Sequence, residues 1–119
     1  GYKRSREIHW IVFRYYCSDD SIDNAKQYWE RYPSLHSITK FFVMFVRVYL
    51  KEKNEKEIVR LLSNNVVDNS SIMMQLKIEA KAVLNQIDEI ETDMINMKNI
   101  SNYTISFILQ HFYENNKDA

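Results

Sequence analysis

Residues 35–51 read Leu-His-Ser-Ile-Thr-Lys-Phe-Phe-Val-Met-Phe-Val-Arg-Val-Tyr-Leu-Lys. Ile38, Phe41, Phe42, Phe45, Val46, Tyr49 and Leu50 recur three or four positions apart, a spacing that gathers side chains on one side of an α-helix. The apolar surface is wider than one stripe, which predicts a central helix from Leu35 to Lys51. Tyr32-Pro33-Ser34 precedes it; the residue before Pro avoids the α region, and Ser34 is a capping residue.

The same pattern extends outward in both directions. Upstream, a helix is expected from Ser5 to Cys17, with Ser5 as cap, Glu7 in the first turn and Ile8, Ile11, Val12, Tyr15 and Tyr16 at helical spacing. A polar break at Ser18-Asp19-Asp20-Ser21 leads into a second helix, Ile22 to Arg31, with Ala25, Tyr28, Trp29 and Tyr32 inward. Downstream, Lys51-Glu52-Lys53-Asn54 is a charged turn and Glu55–Leu62 a short helix. Loops then surround Val66-Val67. Ser71–Lys98 contains no helix breaker and carries a seven-residue apolar repeat. Met73, Ala80, Ile87 and Met94 form one register, and Leu76, Val83, Ile90 and Met97 the other. Lys77, Glu79, Glu91, Asp93 and Lys98 flank this seam. A terminal helix follows from Tyr103 to Tyr113, capped by Ser101.

Composition agrees with an all-α chain. Of 119 residues only Gly1 is glycine, so no internal position takes a positive φ cheaply. That argues against tight hairpins, phosphate-cradling loops and all-β folds. The lone Cys17 excludes an internal disulfide and, with no secretory apolar core, points to an intracellular (cytoplasmic or nuclear) setting. The longest apolar run, Phe41–Leu50, is interrupted by Arg47, which argues against a membrane span. The reading is one helical domain over 1–119 cut from a larger protein, with two hairpins in 8–66 and a long amphipathic helix plus a terminal helix in 70–119.

The two hairpins repeat. Ile11–Tyr16 superposes on Met44–Tyr49, and Ala25, Tyr28 and Trp29 on Ile58, Leu61 and Leu62, all at an offset of 33 residues. A constant offset of this size is the mark of a helix–turn–helix stack. Within it, Ala25-x-x-x-Trp29-x-x-Tyr32-Pro33 resembles the second helix of a tetratricopeptide repeat or its half-a-TPR relatives. Val12 and Phe13 stand where that family has Leu-Gly, and Tyr32 where it has a small residue, so helix packing there must differ. The resemblance covers residues 8–66 and implies a scaffold whose concave face, lined by first helices, grips a peptide or partner helix.

Chemistry finds few candidates. His9, His36 and His111 share no metal-binding spacing, and Cys17 has no second thiol, so no metal, cofactor or catalytic residue is assigned. The expected function is non-catalytic binding of another protein. Trp10, Phe13, Arg14 and Arg47 form the candidate contact surface, Trp10, Phe13 and Arg14 being set opposite the Ile8, Ile11, Tyr15 stripe. The heptad helix could support a weak homodimer, although internal packing of its seam is the favoured reading. Two alternatives remain open: a viral Bcl-2-like bundle holding a partner helix, and an RNA-binding helical repeat. The net charge of zero argues against nucleic acid. Residues 1–66 nonetheless carry a net +4 and residues 67–119 a net −4.

Overall fold

Pro33 decides where the central helix begins. A computed structural model describes residues 2–18, 22–64 and 70–116. In it Tyr32, at φ −122° and ψ 73°, sits just before a 3-10 turn at Pro33–Leu35. Ile38 is extended, and its carbonyl accepts from the amides of Phe41 and Phe42 at 3.1 Å. The central helix therefore starts at Thr39, four residues later than the spacing predicted, and Ser34 does not cap it. His36 fills the gap, stacking on Trp29 at 4.0 Å while its Nε2 donates to the Trp29 carbonyl at 2.7 Å.

The α-helices are α1 (Tyr2–Ser18), α2 (Ile22–Arg31), α3 (Thr39–Glu52), α4 (Glu55–Ser63), α5 (Ser71–Val83), α6 (Ile87–Asn96) and α7 (Asn102–Asn116), with no strand among the described residues. The all-α expectation holds. Ser5 lies inside α1 rather than capping it, whereas Ser101 caps α7, its Oγ accepting from the Thr104 amide at 3.2 Å. The expected break at Asp19-Asp20-Ser21 and the loop around Val66-Val67 lie outside the described residues.

The single long helix over 71–98 is a correction. α5 ends at Val83, and Asn85 adopts φ 63°. The Gln86 amide donates back to the Lys81 carbonyl at 2.9 Å and the Asn85 amide to that of Ala82 at 3.2 Å. This is a Schellman closure, which satisfies the last carbonyls of α5 and turns the chain into α6. α3 ends the same way at Lys53, φ 56°, with the Asn54 amide bonded to Tyr49 and that of Lys53 to Leu50, both at 3.1 Å. Two non-glycine residues thus occupy the left-handed region that a glycine-free interior was expected to avoid.

Packing follows from these turns. α1, α3, α5 and α7 lie side by side in that order, and α2, α4 and α6 each fold back on the helix before them. The molecule is correspondingly elongated, 49 × 31 × 24 Å. α3 is its centre: Phe41, Phe42, Val43, Phe45, Val46, Tyr49 and Leu50 are all buried. Each such side chain contributes about 1.5–3 kcal/mol relative to exposure. Phe13 of α1, Ala25 of α2, Val46 of α3 and Ile58 of α4 are completely buried.

α5 divides its apolar residues between two cores. Met73, Leu76, Ala80 and Val83 enter the main core with α3 and α4, whereas Ile78 and Ala82 join Ile90 and Ile108 in a second. The seam therefore packs internally over its first half. Ile90 is buried and Met94 and Met97 are half-buried against the second core, but Ile87 is 51% exposed at the start of α6. The eight seam residues therefore do not form one continuous coiled-coil face. Glu79, expected to flank the seam, is completely buried.

Candidate interaction groove

Arg14 and Arg47, 33 residues apart in the sequence, lie on neighbouring helices α1 and α3. Lys51 lies one turn beyond Arg47. Because α1 packs beside α3, these three cations line one groove of about 240 Å³, together with Cys17, Ser18, Met44, Val48 and, from α7, Tyr103. Met44 and Val48 form an apolar strip between the charges.

The cations differ in state. Arg47 donates from Nε to Glu79 Oε1 at 3.2 Å and from Nη2 to Oε2 at 3.0 Å, a bidentate pair that fixes the guanidinium plane. Its other contact is the Tyr103 ring, 4.2 Å from the guanidinium carbon. Beneath it, the Thr104 hydroxyl lies 2.8 Å from Glu79 Oε2 and 3.2 Å from Gln75 Oε1, which also accepts from the Ser101 amide at 2.6 Å. Glu79 is thus neutralised and hydrogen-bonded at once, the condition under which a buried carboxylate is tolerated. Arg14 and Lys51 have no ion pair among the described residues and are exposed. They provide the groove's uncompensated positive charge.

Cys17 forms part of the groove wall and is buried there. Burial pushes its thiol up to about 12, against a smaller opposing pull from Lys51. Burial thus favours the neutral thiol near neutral pH.

The four residues expected to form a contact surface separate. Arg14 and Arg47 share the groove. Phe13 is completely buried, ringed by Tyr28, Trp29, Phe41 and Phe45 at 5.8–5.9 Å between centroids, so its assignment to a partner surface is corrected. Trp10 is half-buried, edge-on to Phe41 at 5.3 Å, with the Lys40 ammonium over its face at 4.7 Å. It packs α1 onto α3 and does not line the groove. The exposed face of α1 is instead Ile8, Ile11 and Tyr15, the stripe expected to point inward. Both faces are apolar at helical spacing, and the larger rings won the interior because they bury more area.

Lys51 and Tyr103 were not anticipated. Lys51 carries a signal, standing one turn after Arg47. Tyr103 carries none, because its place depends on α7 packing against α5.

Elsewhere, a cleft of about 330 Å³ between α5 and α6 is lined by Met74, Ile78 and Met97 and bridged by Lys81 to Asp93 at 2.6 Å. His9 bonds the Tyr28 hydroxyl at 2.6 Å, and His111 is buried beside Phe107 and Phe112. Among the described residues no group of His, Cys, Asp or Glu could hold a metal, and no helix is long and apolar enough to cross a membrane. No protein-family model matches the chain, nor does any curated protein or solved structure.

Proposed function

We propose that the chain is a non-catalytic protein-interaction module, a short helical-hairpin stack of the solenoid type, whose groove binds an acidic segment of a partner protein. The observation that carries this reading is the convergence of Arg14, Arg47 and Lys51 around Met44, Val48 and Tyr103 from three separate helices. Two unpaired cations favour carboxylates, and the apolar strip with Tyr103 accepts an intervening hydrophobic or aromatic side chain. Charge set around an apolar centre is the usual division of labour in protein interfaces. The side-by-side order of α1, α3, α5 and α7 supports a stack over a bundle built around one enclosed helix. The absence of net charge disfavours nucleic acid.

Selection of random peptides on the immobilised protein tests this reading. Enriched sequences are expected to be rich in Asp and Glu around one or two apolar residues, and Arg14→Glu/Lys51→Glu is expected to abolish that enrichment. Enrichment unaffected by the double substitution would overturn the groove as the site. Salt-sensitive retention of single-stranded RNA, lost in the same variant, would overturn the protein partner in favour of RNA.

A further inference from the structure

Ser18 ends α1 and supplies the aliphatic hydroxyl of the groove lining. It is exposed, and its oxygen has no hydrogen-bond partner among the described residues. It stands one helical turn after Arg14, so the two side chains are neighbours on the surface of α1. Lys51 approaches from α3, near enough to the end of α1 for its ammonium to oppose the rise of the Cys17 thiol. Arg47, the third cation, is already closed on Glu79. An unpartnered hydroxyl therefore shares the groove with two cations that have no ion pair among the described residues. In the sequence Ser18 is followed by Asp19, Asp20 and Asp23. Acids on that side of a serine complement the basic substrate cleft of an acid-directed protein kinase.

We infer that Ser18 is a phosphorylation site whose phosphate, held by Arg14 and Lys51, closes the groove to the acidic partner segment. This regulation rests on the groove being the binding site. The kinase transfers the γ-phosphoryl group of ATP to Ser18 Oγ. The new P–O bond replaces the one to the β-phosphate, ADP leaves, and the hydroxyl proton passes to the kinase's base. A phosphoserine carries about −1.5 to −2 charges near pH 7 and three acceptor oxygens, enough to pair with a guanidinium and an ammonium together. The carbonyl end of α1 opposes it with about half a negative charge, which two full cations outweigh. Being part of the same chain, the phosphate meets those cations at a high effective concentration. An acidic segment then encounters an anion where it needs positive charge.

The folded chain is incubated with an acid-directed serine kinase and ATP, and the modified residue is read by mass spectrometry. Incorporation is expected at Ser18; phosphate on Ser21 alone, or none, would overturn the site. In the phosphorylated chain, a phosphorus NMR titration is expected to place the second phosphate pKa about 0.5 or more below that of a free phosphopeptide of residues 15–23. Arg14→Gln/Lys51→Gln is expected to restore the peptide value, and a phosphate that titrates as in the peptide from the outset would overturn its pairing. Kinase treatment is expected to weaken binding of a selected acidic peptide at least about 10-fold in the unaltered chain and to change nothing in Ser18→Ala. Binding undiminished by phosphate on Ser18 would overturn the closure. The titration uses no partner, so a groove that selects no acidic peptide even when unmodified overturns the proposed function and is told apart from a failure of the phosphate to pair.

Discussion

Arg47 on α3 closes both carboxylate oxygens of Glu79 on α5, at 3.2 and 3.0 Å, with the carboxylate wholly out of water. The pair joins two neighbouring helices of the row, and Thr104 of α7 ties in a third through its hydroxyl. Removing one member of such a pair leaves a buried charge without a partner, whereas replacing both with apolar groups removes the need for one. Arg47→Met is therefore expected to destabilise by about 3 kcal/mol, and Arg47→Met/Glu79→Leu to recover most of that loss. Urea denaturation of the two single variants and the double variant measures the coupling. Strict additivity would show the pair to be energetically silent.

The turn at Asn85 makes a prediction whose sign separates two architectures. In the left-handed conformation a residue with a Cβ other than Asn or Asp costs roughly 1–2 kcal/mol. Asn85→Ala is expected to destabilise by about 1 kcal/mol and Asn85→Gly to change little. In one continuous helix from Ser71 to Lys98 the order reverses, because Ala is the better helix former. Thermal melts of the two variants decide between them.

Ile87 and Ile90 share the heptad registers but not the environment. Ile87 opens α6 in solvent, and Ile90 is buried between α5 and α7. Ile87→Asp is expected to cost less than about 1 kcal/mol, aided by an acid in the first turn of a helix. Ile90→Asp buries an unpaired carboxylate and is expected to unfold the second core. Chemical denaturation of both variants checks this, and similar losses would return the seam to a continuous helix.

These contrasts show where the sequence was legible. α2 was placed to the residue because Arg31 precedes the Tyr32-Pro33 stop, and the core of α3 was read from its own spacing. Arg14 and Arg47, named from the sequence as contact residues, line one groove. The heptad pattern misled because apolar spacing continues through Leu84-Asn85-Gln86, while backbone closure there depends on one Asn taking φ 63°. Phe13 misled because a helix with apolar residues on both sides has no inward face until its neighbours are known. Glu79 was beyond sequence reasoning, since its burial requires Arg47 and Thr104 from helices distant in the chain.

His111 supplies a pH dependence. Burial holds its imidazole below the ordinary 6.5, the Lys53 ammonium adds to this, and Glu114 opposes it. The unfolded chain therefore takes up a proton more readily than the folded one, so the contribution is full above 6.5 and declines as pH falls below it. Melting temperature is expected to drop between pH 7 and pH 5, and to drop less in His111→Gln. An identical drop in the variant would assign the loss to other groups.

The groove is tested most directly by amide chemical-shift mapping with an acidic peptide obtained by selection. The largest shifts are expected at Arg14, Ser18, Val48, Lys51 and Tyr103, disappearing in Arg14→Glu/Lys51→Glu. Shifts centred on the α5–α6 cleft around Met74 and Met97, or unchanged in the double variant, would contradict the groove as the site of partner binding.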